Sequence, residues 1–137
     1  MATMTGLYLG GLRTEDTHLK SANKVITDAP PDNNGRGEAF SPTDLVCAAL
    51  SSCMMTLMGI LAEREKIDLT GMTSSITKIM ASNPRRIEEI QIVFRHPQLK
   101  ATPEQRKKLE HAARTCPVAL SLSENLRQTV SFDFGDQ

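Results

Sequence analysis

The sequence has few aromatic residues and no excess of charge of either sign. Of its 137 residues, 4% are aromatic and none is tryptophan, and 16 basic residues balance 16 acidic ones. This balance gives no reason to expect nucleic acid or an anionic membrane as a partner. A core must be built from aliphatic residues and methionine. We therefore expect a single domain over residues 1–137 that shares apolar surface in a dimer.

Cysteine is also scarce, and its spacing excludes two common uses. The three cysteines, Cys47, Cys53 and Cys116, form no C-x-x-C pair, and the three histidines are scattered. Neither a disulfide framework nor a structural metal site is expected. The first residues lack the basic and apolar regions of a signal peptide, which predicts a cytoplasmic protein with reduced thiols.

Only one long apolar run is present. Residues 45–62 are 18 residues without a charge, which just reaches the length of a membrane-spanning helix. Serine, threonine and glycine dilute the run, so we interpret it as the buried central helix of a soluble domain. The helix is expected to begin at Ser41-Pro42-Thr43-Asp44 and to run to about Lys66. Ser41 would cap it, and Asp44 would be the acidic member of a capping box.

The remaining patterns predict strands and shorter helices. Short strands with turns are expected in residues 5–13 and 18–27, strand-like alternation occurs in residues 72–81 and 90–96, and a last strand is expected over residues 129–134. Residues 28–37 read as a loop, and a turn at 82–85 predicts an antiparallel hairpin. Helices are expected over residues 102–114 and, after Cys116-Pro117, over residues 118–126. The order predicts an α+β fold in which antiparallel sheet packs on the long central helix.

Two cysteines are candidate reactive residues. Pro117 makes Cys116 the expected N-cap of a helix, where unpaired N–H groups and the helix dipole lower the pKa of a thiol. Cys53 lies inside the apolar helix and, on its position alone, is better explained as core. Cys47 lies six residues before Cys53 on the same helix, which corresponds to a rotation of about 600°, so the two side chains point in different directions. A peroxide-reactive thiol needs a second thiol within disulfide reach, and the sequence leaves open whether Cys53 and Cys116 meet.

Three short sequence motifs occur in order along the chain, namely Ser41-Pro42, Ser52-Cys53 and Cys116-Pro117-Val118. With their surroundings, over residues 7–134, they resemble the OsmC/Ohr family of thiol-dependent hydroperoxide reductases. The resemblance implies that Cys53 is the peroxidatic cysteine and Cys116 the resolving cysteine, which forms a disulfide with the Cys53 sulfenic acid. It also implies an intertwined homodimer with interfacial sites, a dithiol reductant, possibly of the lipoyl type, and no metal or flavin.

One departure from the family concerns the charged partner of the peroxidatic thiol. The organic-hydroperoxide branch usually has a Glu at the helix entry that orients an Arg. This chain has Thr43 there, with Asp44 beside it and Glu38 upstream. A buried thiol needs a cation, because burial alone raises its pKa. Arg13 is the first candidate for this cation, and Arg36 is the alternative. Each residue also has a purely structural interpretation, which is a solvated charge at a strand end for Arg13 and helix capping for Asp44.

A second hypothesis belongs to another class of protein. A non-enzymatic protein with the same apolar crevice would bind a small hydrophobic ligand, or would use its cysteines only to sense oxidation. Methionines on the central helix (Met54, Met55, Met58) agree with such a crevice, although methionine at this spacing is more often core filling. Peroxide turnover that depends on Cys53 would separate the two hypotheses.

Overall fold

A computed structural model describes residues 1–136 and divides the chain into two compact units. The first unit is Met1–Val46 and the second begins at Cys47. The first unit holds a three-stranded antiparallel sheet in the order β1 (Met4–Gly10), β2 (Arg13–His18), β3 (Lys24–Asp28). The second unit holds most of the helices and a second sheet. The assignment of residues 1–137 to a single domain stays a prediction.

The first sheet has three strands where two were predicted. The predicted strand over residues 5–13 is interrupted, because Gly10, Gly11 and Leu12 have φ angles of 83°, 61° and 62°. Such left-handed conformations suit glycine and end the regular strand, so the chain reverses into β2. The predicted loop after β3 is a loop, with one short 3₁₀ turn at Pro31–Asn33.

The long helix α1 (Pro42–Glu65) has nearly the predicted bounds. Its start is the predicted capping box, in which the Asp44 N–H donates to Ser41 Oγ (3.1 Å) and the Ser41 N–H donates to Asp44 Oδ2 (3.0 Å). By length and composition α1 could cross a membrane, with 39% of its most apolar window buried. A core helix of a soluble protein passes the same test, so this feature is weak evidence for a membrane span.

The second sheet has the order β4 (Thr73–Ala81), β5 (Arg86–Arg95), β6 (Arg127–Asp133). β4 and β5 form the predicted antiparallel hairpin, but β5 and β6 are parallel, so the sheet is mixed. Parallel neighbours need a long crossover, which α2 (Pro103–Arg114) and α3 (Pro117–Ser121) supply. α3 is shorter than predicted, because the chain is already extended at Leu122 (ψ 154°). The α+β class is confirmed.

The apolar core belongs to the second unit. Every apolar residue that is buried among residues 1–136 lies at or after Cys47. One face of α1 contributes Cys47, Leu50, Met54, Met58, Leu61 and Ala62. The central strand β5 contributes Ile90, Ile92 and Phe94, and the Phe94 ring stacks on Phe132 with 5.6 Å between centroids. This core determines where the cysteines of the second unit lie.

Candidate active site

Cys53 lies on α1 beside the helix face that forms the core. Its side chain packs against that core but is only partly buried, whereas Cys47 is 3% exposed. Cys53 is thus at the edge of the core, as its position in the apolar helix predicted, but it is not fully buried. Cys47 belongs to the core face, as the angular separation on the helix predicted.

Cys116 is the N-cap of α3, as predicted. Its backbone is extended (φ −68°, ψ 154°), Pro117 begins the helix, and the Ala119 N–H donates to Cys116 Sγ at 3.4 Å. The predicted lowering of its pKa is wrong. Burial raises the pKa of the Cys116 thiol, and this effect together with the Cys53 thiol exceeds the lowering by the N–H groups of Ala119 and Val118. The residue is fully buried, and α3 has only five residues to contribute a dipole.

The structure brings Cys53 and Cys116 together. The Cys53 thiol is one of the groups that raise the pKa of the Cys116 thiol, so the two thiols are near neighbours. Both cysteines are reduced, as is Cys47. Two thiols in such contact resist simultaneous ionisation, because a second negative charge would form beside the first. The arrangement can therefore hold one thiolate with a protonated thiol next to it.

Arg13 lies in the first unit, where it forms an ion pair with a fully buried carboxylate. Arg13 and Asp28 are opposite each other in the β2–β3 register. Arg13 Nε and Nη2 donate to the two carboxylate oxygens of Asp28 at 2.7 and 2.8 Å, and Nη2 also donates to Glu38 at 3.1 Å. The hydrogen bond with Arg13 lowers the pKa of Asp28 against the opposing effect of burial. Arg13 is thus a partly buried, oriented cation and not a solvated strand end.

Asp28 was missed by the sequence analysis. The only available signal was an acidic residue two positions after the apolar pair Val25-Ile26, and acidic residues are common where strands meet loops. Arg36, the alternative cation, lies over Gly11, where a Cβ atom would collide with its guanidinium. Its charge also contributes to the lowered pKa of Asp28. Both candidate arginines therefore lie near the same carboxylate within the first unit.

The polar side chains at the entry of α1 make local hydrogen bonds. Asp44 is engaged in the capping box, and Thr43 Oγ1 lies 3.2 Å from Ser41 Oγ. Among residues 1–136, no group of three His, Cys, Asp or Glu residues is arranged to hold a metal ion.

An apolar groove of about 810 Å³ lies within the second unit, between the carboxyl-terminal half of α1 and α2. Leu57, Ile60 and Ala112 are among its apolar lining residues, and Lys107 is one of the cations on its rim. Thr115 also lines the groove and directly precedes Cys116 in the chain. The groove is large enough for a drug-sized molecule.

Comparisons with known proteins agree with this architecture. A family model described as OsmC-like protein matches residues 35–131. A Psychrobacter arcticus 273-4 structure, named for osmotic stress induction and a detoxification response, is 44% identical, with 96% of each chain covered and a TM-score of 0.90.

Two more distant structures share the fold. An organic hydroperoxide resistance protein OsmC from Legionella pneumophila is 18% identical, with 96% of this chain and 97% of the other covered and a TM-score of 0.69. An organic hydroperoxide resistance protein from Elizabethkingia anophelis is 17% identical, with 99% and 98% covered and a TM-score of 0.65. The comparison with curated proteins finds no match.

Proposed function

The chain belongs to the OsmC-like protein family, and on that premise we propose that it is a two-cysteine, thiol-dependent hydroperoxide reductase. Family membership indicates a hydroperoxide-related redox function. The observation that supports the finer proposal is the interaction between the thiols of Cys53 and Cys116, which raises the pKa of Cys116 in the reduced protein. Adjacent thiols are what a sulfenic acid needs in order to be converted to a disulfide before further oxidation.

The first step is the attack of the Cys53 thiolate on the terminal oxygen of the hydroperoxide. An S–O bond forms as the O–O bond breaks, so the sulfur is oxidised and the peroxide is reduced. The departing alkoxide takes up a proton and leaves as an alcohol, or as water when the substrate is hydrogen peroxide. Cys53 becomes a sulfenic acid.

The second step joins the two cysteines. The Cys116 sulfur attacks the Cys53 sulfenic sulfur, the S–O bond breaks, and the hydroxyl leaves as water with the Cys116 proton. A dithiol, such as a lipoyl-type group, then reduces the disulfide through a mixed disulfide. It supplies two electrons and two protons and becomes a disulfide itself. No metal or flavin takes part in this cycle.

The environment of the two thiols supports this assignment of roles. Cys116 is fully buried with a raised pKa, so it stays protonated in the resting protein, whereas Cys53 is only partly buried. A Cys53 thiolate would oppose ionisation of Cys116. Oxidation of Cys53 to the neutral sulfenic acid removes that opposing charge, so Cys116 becomes easier to ionise when its attack is needed.

Arg13 is the proposed cation that stabilises the Cys53 thiolate. Its charge is held in a fixed orientation by Asp28, which makes it better prepared for this role than a mobile surface arginine. Arg36 remains the alternative. The loss of the helix-entry Glu to Thr43 bears on which peroxide is preferred and not on the two-cysteine chemistry.

We also propose that the protein acts as a cytoplasmic homodimer with sites at the subunit interface. Several large apolar side chains of the first unit are exposed, among them Leu7 (58%), Tyr8 (63%) and Leu9 (47%). The same unit buries no apolar side chain among its described residues. A second copy of the chain is the occupant that the family resemblance implies for this surface.

The test combines disulfide mapping with turnover. Reduced protein is treated with cumene hydroperoxide, and its disulfides are mapped by mass spectrometry, with a Cys53–Cys116 pair expected. Turnover with dihydrolipoamide as reductant should vanish in Cys53→Ser and persist in Cys47→Ser, a matched change on the same helix. Cys116→Ser should trap the Cys53 sulfenic acid and proceed to the sulfinic acid. A treated protein in which Cys53 and Cys116 never pair would contradict the proposal.

A second candidate function is non-enzymatic binding of a small hydrophobic ligand, with the cysteines serving only to sense oxidation. The groove between α1 and α2 is the observation that favours it. The absence of peroxide turnover, together with a hydrophobic ligand detected by native mass spectrometry of the purified protein, would support this function over the reductase.

A further inference from the structure

The groove between α1 and α2 is built from one face of each helix. Its lining residues on α1 recur every three or four positions from Leu57 through Ile60 to Arg64, and those on α2 recur in the same way from Glu104 to Thr115. This spacing places side chains on one face of a helix. Ile60 is 51% exposed although it belongs to the apolar helix. The groove therefore leaves apolar surface open to solvent along its length.

The groove has a charged end and an apolar end. Glu65, at the end of α1, accepts a hydrogen bond from Gln105 Nε2 at 3.4 Å and lies 3.5 Å from Lys108 Nζ. The end of α1 is thus beside the start of α2, and the two helices are antiparallel. The charged lining residues collect at this end, whereas Leu57 and Ala112 line the other end. Such a lining matches a molecule with a polar head and an apolar tail.

The charged end carries an excess of positive charge. Arg64, Lys107 and Lys108 lie against two carboxylates, Glu65 and Glu104, which leaves one positive charge in excess when the lining histidine is neutral. Glu65 is paired with Lys108. Among residues 1–136, Arg64 and Lys107 form no ion pair. Glu104 lies in the first turn of α2 and Lys107 one turn further along the groove, so a free cation borders the apolar part.

We propose that this groove binds an amphiphile with a single alkyl chain and a carboxylate head. The tail lies along Leu57 and Ile60, and the head lies beside Arg64 and Lys107. A carboxylate supplies the one negative charge that this end of the groove lacks, and a guanidinium can hold it through two parallel hydrogen bonds. The apolar lining supplies the affinity and the cations supply the orientation.

The site is separate from the thiols. Within the part of the chain that the structure describes, the lining includes neither Cys53 nor Cys116. Thr115 is the lining residue next to Cys116 in the chain, but Cys116 itself is fully buried. The inference therefore goes beyond the proposed reductase function and does not rest on it. The ligand undergoes no reaction, and Cys53→Ser should bind it as tightly as the wild-type protein does.

The length of the groove determines the probe. Leu57 and Arg64 are seven residues apart (64 − 57) on α1, which corresponds to about 10 Å along the helix. An extended alkyl chain advances about 1.3 Å per carbon, given C–C bonds of about 1.5 Å, so a tail of about eight carbons covers this length. Affinity should rise by at most about fourfold per methylene from hexanoate to decanoate and then level off with dodecanoate.

Isothermal titration calorimetry of the reduced full-length protein with decanoate is the test. Decanoate should bind saturably. Decyltrimethylammonium, which has the same tail and the opposite charge, should bind about tenfold more weakly. Decyl phosphate carries almost two negative charges at pH 7 and should bind no more tightly than decanoate, because one positive charge is in excess.

Two sets of variants assign the head and the tail. The double variant Arg64→Gln and Lys107→Gln should weaken decanoate about tenfold at low salt and leave the affinity for uncharged decanol unchanged. Lys100→Gln, on an exposed lysine outside the groove, is its matched control. Ile60→Ser should weaken decanoate and decanol alike, by about fivefold. Ile76→Ser, on an exposed apolar residue outside the groove, should change neither affinity.

Several results would overturn the inference. These are the absence of saturable decanoate binding at millimolar concentration, equal binding of decyltrimethylammonium, and an unchanged affinity in the double variant. Decyl phosphate that binds tenfold more tightly would refute the carboxylate head. An affinity that rises when the protein is diluted would show that a second copy of the chain covers the groove. Loss of binding in Cys53→Ser would place the ligand at the thiols instead.

The test remains decisive if one variant fails. If Ile60→Ser does not fold, the comparison of head groups on the unaltered protein decides the question by itself. No arm of the experiment uses a peroxide. A wild-type protein that forms no Cys53–Cys116 disulfide but binds decanoate would thus refute the proposed function alone, while intact turnover without decanoate binding would refute this inference alone.

Discussion

The two compact units bury different kinds of residue. Among the residues that the structure describes, all the buried apolar ones lie in the second unit, which also carries the neighbouring thiols of Cys53 and Cys116. The first unit buries Thr27, Asp28 and Ser41, all polar, and exposes large apolar side chains along β1. A three-stranded sheet of this kind gains little from the hydrophobic effect by itself. One unit is stabilised by packing, whereas the other is organised by hydrogen bonds and an ion pair.

This difference bears on the function. Packing in the second unit places Cys53 beside Cys116 and excludes water from Cys116, which keeps that thiol protonated. The polar interior of the first unit orients a cation instead of filling space.

The largest expected effect concerns the core of the second unit. Phe94→Ala removes a fully buried ring that stacks on Phe132, and we expect a loss of about 3–5 kcal/mol in the free energy of unfolding. The matched change Leu7→Ala on the exposed face of β1 should cost less than about 0.5 kcal/mol in the isolated subunit. Urea denaturation of both variants, at concentrations where only monomer is present, measures the contrast. Equal losses would show that the first unit also depends on apolar packing.

The next effect concerns the exposed apolar face of the first sheet. In the double variant Leu7→Glu and Leu9→Glu, the dissociation constant of the dimer should rise by about 100-fold or more, because two charges would enter an apolar interface. Sedimentation equilibrium measures this constant. Ile76→Glu, on an exposed apolar residue of β4, is the comparison for the second sheet. A wild-type protein that is monomeric at micromolar concentration would contradict the proposed dimer.

The smallest effect is the acid dependence of stability. The Arg13 hydrogen bond lowers the pKa of Asp28 below its usual 3.8, and hydrogen bonds from Thr129 and Arg127 lower that of Glu89 below 4.5. A depressed carboxylate pKa contributes stability that is present above the unfolded-state pKa and is lost as the pH falls through the folded-state value. The loss is expected from about pH 4 downward.

Residue-level hydrogen exchange between pH 5 and 2.5 can assign this acid sensitivity to each unit. Asp28→Asn should flatten the pH dependence of protection in β2 and β3, and Glu89→Gln should do so in β5 and β6. If both variants flatten both sheets equally, the two units unfold as one cooperative body and the contrast between them is not thermodynamic.

Much of the fold could be predicted because local chemistry determines it. Ser41 and Asp44 cap the long helix, Thr102 and Gln105 form a capping box for α2, and the turn at residues 82–85 joins the hairpin. The break between β1 and β2 could not be predicted as readily. It depends on Leu12 adopting a left-handed conformation after two glycines, which is unusual for a leucine.

The candidate site was predictable in part. Cys116 as an N-cap follows from the proline after it, but the direction of its pKa change does not, because burial outweighs two N–H groups. The contact between Cys53 and Cys116 joins residues 63 positions apart (116 − 53). No local pattern encodes such a separation, and only the resemblance to a family pointed to it.

The sequence by itself determined the elements with local signals, which are the capped helices, the hairpin and the α+β class. It also identified Cys53 and Cys116 as the candidate reactive residues. The tertiary structure determined the environment of these side chains, because pKa values and ion pairs depend on neighbours that are distant in the chain. It placed Cys53 against Cys116, reversed the expected pKa change of Cys116, and paired Arg13 with a buried Asp28. Burial and contact belong to the folded chain as a whole, so sequence spacing alone could not supply them.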